Sequence, residues 1–219
     1  MKIIVISDTH GLESSMTHPI PEGDLLIHAG DFTKGDQGRA PFREFLQWLE
    51  RQPAPRKVLI SGNHDSQTER FPDLARQMIA EYAPSVTYLR DSEVTIDGLR
   101  IWGSPYTPTF FNWYNMRDRG ASIRRHWDLI PDGLDFLVTH GPPKGFGDWS
   151  PYDKVHAGDE DLLDAIKRAK PRYAVNGHFH SGYGTRELVH ADGTKTVIIN
   201  ATCCNEGYNP VNAPIIIDL

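Results

Sequence analysis

Five short polar signatures stand in series along the chain, each at the end of an apolar run. They are Asp8-Thr9-His10, Gly30-Asp31, Gly62-Asn63-His64-Asp65, His140-Gly141 and Gly177-His178-Phe179-His180. Seven of their side chains, Asp8, His10, Asp31, Asn63, His140, His178 and His180, offer oxygen or nitrogen donors, and His64 stands beside them as an extra histidine. The set contains no thiolate. Imidazole-rich mixed donors suit manganese, iron or zinc better than calcium, and magnesium alone less well; manganese is the expected ion, with iron, zinc or magnesium as alternatives. Seven donors exceed what one ordinary ion takes and suit two ions sharing a carboxylate. Such a pair, about 3.5–4 Å apart, clamps the attacking and leaving oxygens of an in-line displacement. Two divalent ions set against Asp8 and Asp31 leave a positive cage suited to a phosphate ester. The series points to a two-metal hydrolytic site.

The elements that must position these residues read as strands and helices in alternation. Lys2 to Ile6, Leu25 to Ala29 and Val58 to Ile60 are continuous apolar runs, as expected of strands buried on both faces. Phe42, Phe45, Leu46 and Leu49 recur at helical spacing before Pro53, and Leu74, Met78, Ile79 and Tyr82 before Pro84. This alternation implies βαβ units and a parallel sheet. Short strands are expected at 86–89, 93–96 and 100–103, with Asp97-Gly98 as a hairpin turn. An irregular aromatic stretch runs from Ser104 to Gly120. Strands return at 136–139, 173–176, 185–190, 196–199 and 215–218, with a helix over Leu162 to Ala169. Side chains two apart in a strand share a face, so Asp8 and His10 should project together, as should His178 and His180. Open α/β sheets gather ligands at the carboxyl ends of their strands, where all five signatures lie. Gly30, Gly62 and Gly177 each precede a candidate ligand and allow close backbone approach.

The chain has 219 residues, 39% apolar and 24% charged, enough for one sizeable core and read as a single domain over 1–219. Its net charge is −6, and no Lys/Arg cluster offers a footprint for long nucleic acid. The only cysteines, Cys203 and Cys204, are adjacent and cannot close a useful loop. A reducing, cytoplasmic compartment is expected. Ile3 to Ile6 is too short a run for a signal-peptide core or a membrane span.

At these motifs the chain resembles the calcineurin-like metallophosphoesterase family. The five blocks read as Asp8-x-His10, Gly30-Asp31, Gly62-Asn63-His64-Asp65, Thr139-His140-Gly141 and Gly177-His178-x-His180. Asp91 to Thr95, Asn112 to Gly120, Pro142-Pro143 with Asp148-Trp149, and Asn200-Ala201-Thr202 with Pro214 to Ile216 resemble its MPPED (metallophosphoesterase-domain) subgroup more narrowly. The resemblance implies a four-layer αββα sandwich of two mixed sheets. It implies one metal held by Asp8, His10 and His180 and a second by Asn63, His140 and His178, with Asp31 bridging. His64 is then no ligand but faces the leaving group as general acid or charge stabiliser. Some vertebrate members have glycine where this chain has His178, which weakens activity, so a competent enzyme is expected. The Asp-Arg-Gly extension of the Ser/Thr protein phosphatases is absent after Gly30-Asp31, where Phe32-Thr33-Lys34-Gly35 follows.

Around this set, Asp65 reads as a helix cap or an orienter of His64, and His28 as a buried core histidine or support for a ligand. His18, His126, His156 and His190 read as surface residues. Within the aromatic stretch Tyr106, Phe110, Phe111, Trp113 and Tyr114 either pack the loop onto the body or stack on substrate, with Tyr106, Asn112 and Trp113 as candidates for substrate contact and Trp149 and Phe146 as candidates for an opposite wall. Arg117 and Arg119 read as phosphate binders or solvated charge. The expected activity is a dinuclear phosphodiesterase acting on small phosphodiesters, cyclic nucleotides first. A phosphomonoesterase or nucleotide pyrophosphatase on the same site, and a non-catalytic scaffold, are the alternatives. The expected partner is a small phosphoester, with no long nucleic acid and no membrane, and with a homodimer left open.

Overall fold

The β-branched runs pair into two sheets whose inner faces meet. The computed structural model describes every residue except Asp36. Its elements run β1 (Lys2–Ile6), β2 (Leu25–His28), α1 (Arg39–Glu50), β3 (Arg56–Leu59), α2 (Ser66–Arg70), α3 (Pro72–Tyr82), β4 (Val86–Tyr88), β5 (Ser92–Ile96) and β6 (Leu99–Ser104). They continue with β7 (Thr107–Pro108), β8 (Met116–Arg117), α4 (Ala121–Trp127), β9 (Phe136–Thr139), β10 (Trp149–Ser150), β11 (Val155–His156) and α5 (Glu160–Ala169). The last strands are β12 (Tyr173–Asn176), β13 (Gly184–Val189), β14 (Lys195–Asn200) and β15 (Ile215–Asp218).

One sheet has the order β15-β1-β2-β3-β4, parallel except for β15. The other has the order β13-β14-β12-β9-β6-β5, parallel except for its two edge strands. Ile3, Val5, Ile27 and Val58 of the first sheet pack against Ile101, Phe136, Val138 and Val175 of the second. Ile4, Ile6 and Leu26 point the other way, onto Phe42 and Leu46 of α1 and Met78 and Ile79 of α3. Trp102, Leu137 and Ala174 likewise meet Ile123 and Trp127 of α4 and Leu162 and Ile166 of α5. The architecture is therefore αββα, as the resemblance implied. Both faces of β1, β2 and β9 are covered, which is why their sequences are apolar without alternation. Each fully buried Ile or Leu contributes about 1.5–3 kcal/mol.

The Asp97-Gly98 turn closes on the pair Ile96 and Leu99, with φ of 49° and 87°, both positive as a two-residue type I′ hairpin requires. The stretch from Ser104 to Gly120 carries the short parallel pair β7–β8, and α4, not expected from sequence, follows it. No helix among the described residues is long and apolar enough to cross a membrane.

Candidate metal centre

The strands β1, β2, β3, β9 and β12 end at a common rim, and the chain leaves several of them abruptly. Asp8 (φ 55°), His10 (φ 49°), Asp31 (φ 56°) and His178 (φ 68°) all adopt the left-handed conformation. Non-glycine residues held there store strain of about 1–3 kcal/mol each and concentrate at functional sites. Strand periodicity is thus not what aligns Asp8 with His10, because β1 ends at Ile6 and both lie in the turn beyond it. His180 likewise sits in a 3-10 turn, not in a strand. Backbone hydrogen bonds from Asp8 to Gly30 (2.9 Å) and from His10 to Asp31 (3.0 Å) fasten the first two turns together. A β-carbon at Gly62 would run into the Asp31 carboxylate and the His140 imidazole, and one at Gly177 into the Asp8 carboxylate.

Two donor groups result. Asp8, His10 and His180 bring ligand atoms within 4.8 Å of one another, and so do Asp31, His140 and His178. Asn63 joins the second group, its Oδ1 lying 3.1 Å from His140 Nε2. His10, Asp31 and His64 meet the same criterion, so distance alone would also admit His64 as a donor.

The hydrogen bonds fix which ring nitrogens face inward. His10 Nδ1 donates to Thr33 O (3.2 Å), His140 Nδ1 to Ala29 O (2.8 Å) and His180 Nδ1 to Asn205 O (3.0 Å). A carbonyl only accepts, so each Nε2 of a neutral ring carries a lone pair. Those lone pairs point at other acceptors. His10 Nε2 and His180 Nε2 are 3.2 Å apart, and His140 Nε2 is 3.2 Å from Asp31 Oδ2 as well as close to Asn63 Oδ1. Nδ1 of His178 is buried with no partner among the described residues. Converging acceptors repel unless a cation or proton lies between them, so the donor set fits a pair of divalent ions.

Burial pushes His10 down to about 4 and His178 to about 3, which keeps both rings neutral and ready to ligate. Burial also acts on Asp8, but the hydrogen bond to His180 and the charges of His140 and His180 override it and hold the carboxylate well below its usual range. Burial would lower His140 too, yet the Asp31 carboxylate beside it raises the ring to about 9. Without a bound cation His140 would therefore hold a proton at pH 7, which cation binding must expel. Cation affinity should rise with pH up to about 9. Calorimetry of Mn²⁺ binding at pH 7 in two buffers of different ionisation enthalpy should show at least about one proton released per chain; binding unchanged between pH 6 and 9 would contradict it.

Asp65 is buried but does not orient His64, and its side chain does not cap α2. It accepts instead from the backbone N–H groups of Asp31 (2.9 Å), Phe32 (3.1 Å), Thr33 (2.9 Å) and Gly62 (2.7 Å). It thus pins the turn that carries Asp31. His28 accepts from Gly30 N and bonds Thr9 Oγ1, each at 3.2 Å, tying together the two turns that hold Asp8, His10 and Asp31.

His10, Asp31, Asn63, His64, His178 and His180 line a cleft of about 690 Å³ together with Phe110, Phe111, Trp113, Pro151, Tyr152 and Tyr208. Of the aromatic stretch, Phe110, Phe111 and Trp113 line it. Tyr106 is buried, stacked on His126 (4.0 Å) and capped by the Arg117 guanidinium (4.2 Å). Asn112 is exposed at the tip of a turn and Trp149 lies edge-on to His156, both outside the cleft wall. Phe146 packs onto the outer core. Arg117 pairs with Glu69 (3.2 Å). Arg119 reaches the cleft but bonds Glu160 and the carbonyls of Ala157 and Gly158. His190 is buried against Thr196 (2.9 Å) and His126 is half-buried against Asp91 (2.7 Å), so neither is a surface residue. Cys203 and Cys204 are buried and free. Sequence reasoning missed Tyr208, whose ring lies 5.0 Å from His10 and 4.9 Å from His180. Its turn-rich neighbourhood, Asn205 to Asn209 just past a strand end, was the available signal.

The family model described as Calcineurin-like phosphoesterase matches residues 1–182. The chain belongs to the calcineurin-like phosphoesterase family. It is 42% identical to human Metallophosphoesterase domain-containing protein 1 over 241 residues, covering 100% of this chain and 71% of that protein. It is 34% identical to the Caenorhabditis elegans UPF0046 protein C25E10.12, covering 100% of this chain and 81% of that one. Among solved structures, TT1561 of Thermus thermophilus superposes with a TM-score of 0.59 at 12% identity over 90% of this chain and 88% of its own. A novel archaeal phosphodiesterase superposes at 0.51 and 16% identity over 99% and 100%. These likenesses show the same fold. A calcineurin-like phosphoesterase of this kind is a metal-dependent hydrolase, typically dinuclear, and the two donor groups are its candidate metal sites.

Proposed function

We propose that the chain is a dinuclear phosphodiesterase acting on small phosphodiesters, cyclic nucleotides first. The observation that carries the diester reading is the cleft itself. Its lining joins the donor residues to Phe110, Phe111, Trp113, Tyr152 and Tyr208, so a phosphorus over the donor groups meets apolar surface suited to the two substituents of a diester. Arg119, the one arginine in the cleft wall among the described residues, is committed to Glu160 and two carbonyls. No free guanidinium is left there to meet the second charge of a monoester. The archaeal structure of the same fold is described as a phosphodiesterase, which supports the reading.

Asp8, His10 and His180 would hold one cation, and Asn63, His140 and His178 the other, with Asp31 shared. When bound, the pair supplies Lewis-acid polarisation of the phosphoryl group and activation of water. The protein's own residues do the rest. His64 donates its backbone N–H to Asp31 Oδ1 (2.7 Å) and holds Nε2 3.9 Å from Asp31 Oδ2. That places its imidazole at the edge of the shared carboxylate, where it gives a proton to the leaving oxygen or a hydrogen bond to the developing charge. Phe110 and Tyr208 flank the floor, exclude water and orient the ester substituents.

The test is turnover by manganese-reconstituted protein of bis(4-nitrophenyl) phosphate, 4-nitrophenyl phosphate and cyclic nucleotides. Diester kcat/KM should exceed that for the monoester. The reverse ratio would assign a monoesterase, and turnover no better than metal in buffer would leave only a scaffold.

A further inference from the structure

We infer that Trp113 is the positioning residue of His64, holding its ring by stacking where the second ring nitrogen has nothing to hold. The inference rests on the proposed role of His64. A histidine that moves a proton at one nitrogen is ordinarily oriented through the other. His10, His140 and His180 follow that pattern, each through a backbone carbonyl. His64 does not: its Nδ1 is buried and has no hydrogen-bond partner among the described residues. The adjacent carboxylate, Asp65, is occupied by backbone amides on the far side of the turn.

What meets the ring is aromatic. The Trp113 ring lies 4.2 Å from the His64 ring, tilted by 36°, and the His10 ring meets it edge-on at 4.9 Å and 82°. Two contacts at different angles leave the imidazole one plane. The Trp113 ring passes near Gly35, where an added β-carbon would sit 3.6 Å from Cζ3.

The loop bearing Trp113 is anchored to the segment it aligns. Tyr114 N donates to Asn63 O (3.1 Å), and Asn115 Nδ2 donates to Gly62 O (2.8 Å). Asn115 N donates to Glu69 Oε2 (2.7 Å), one turn into α2. Asn115 is fully buried and left-handed, with φ of 51°. These bonds tie the Trp113 loop to residues on both sides of His64 in sequence. Trp113 also lines the cleft, and the test must separate alignment of His64 from contact with substrate.

Trp113→Ala, Trp113→Phe, His64→Ala and the double variant His64→Ala/Trp113→Ala are compared after metal reconstitution, with bound metal measured in each. Trp113→Ala should lower kcat about 10–100-fold with KM within about threefold, the signature of a displaced group rather than lost binding. Trp113→Phe, which still stacks, should recover most of that loss. In the His64→Ala background, removing Trp113 should change kcat by less than about twofold, because the two act as a unit. A readout without turnover is the His64 Cε1 proton resonance in zinc-loaded protein, whose ring-current shift should disappear in Trp113→Ala. A rise in KM alone, an additive loss in the His64→Ala background, loss of metal in Trp113→Ala, or an unmoved resonance overturns the inference. If His64→Ala itself keeps kcat, the proposed role of His64 falls and the inference with it, while the resonance still shows whether Trp113 stacks on the ring.

Discussion

Asp31→Ala should fold and lose both cations. Asp31 Oδ2 is 3.2 Å from His140 Nε2 in one donor group and 4.0 Å from His10 Nε2 in the other, so its carboxylate is the piece both sites share. The turn does not depend on that side chain. Asp65 holds the backbone amides of residues 31, 32 and 33, and none of those bonds uses the Asp31 carboxylate. Outer partners of metal ligands cost about 10–100-fold in affinity when removed, and a shared first ligand should cost at least about 100-fold. Elemental analysis after dialysis should find well under one equivalent bound. Asp31→Asn keeps the shape and removes the charge, and it should behave alike. A variant retaining two equivalents would show that Asp31 is not shared.

His64→Ala should do the opposite, keeping its metal and losing about 10²–10⁴ in kcat, the range of a positioned proton donor. Distance alone admits His64 as a third partner of His10 and Asp31. The stronger pairings lie elsewhere, since His10 Nε2 faces His180 Nε2 at 3.2 Å while His64 Nε2 is 3.9 Å from the nearest Asp31 oxygen. Metal content and kcat measured on the same sample separate the roles. If the variant empties the site while turnover per bound metal stays unchanged, His64 is a ligand.

The layers of the fold were legible because burial writes itself into composition. Ile3 to Ile6 and Phe136 to Thr139 lie between helices and a second sheet, and their sequences show no polar face to contradict it. Asp97-Gly98 was legible because a type I′ turn demands positive φ twice. α4 was not, because its burial rests on Ile123 and Trp127 alone, with Arg124, Arg125 and His126 between them. The donor residues were legible as types in series, and their grouping follows only once the sheets are built. The reason for their convergence was not legible. Four of them sit at positive φ, a conformation that side-chain periodicity does not encode and that tertiary hydrogen bonds impose. The walls were read least well. Tyr106 and Trp113 are both aromatic residues of one irregular stretch, yet the first is locked behind Arg90 and Arg117 and only the second reaches the cleft. Asp65 was misassigned because adjacency to His64 suggested a partner, whereas its carboxylate turns back to the amides of residues 31–33 and Gly62.

Anomalous diffraction from crystals of the manganese-loaded protein tests the central claim most directly. Two peaks are expected at the rim, one bounded by Asp8, His10 and His180, the other by Asn63, His140 and His178, with Asp31 between them. A single peak, or manganese bound away from this rim, would contradict the account.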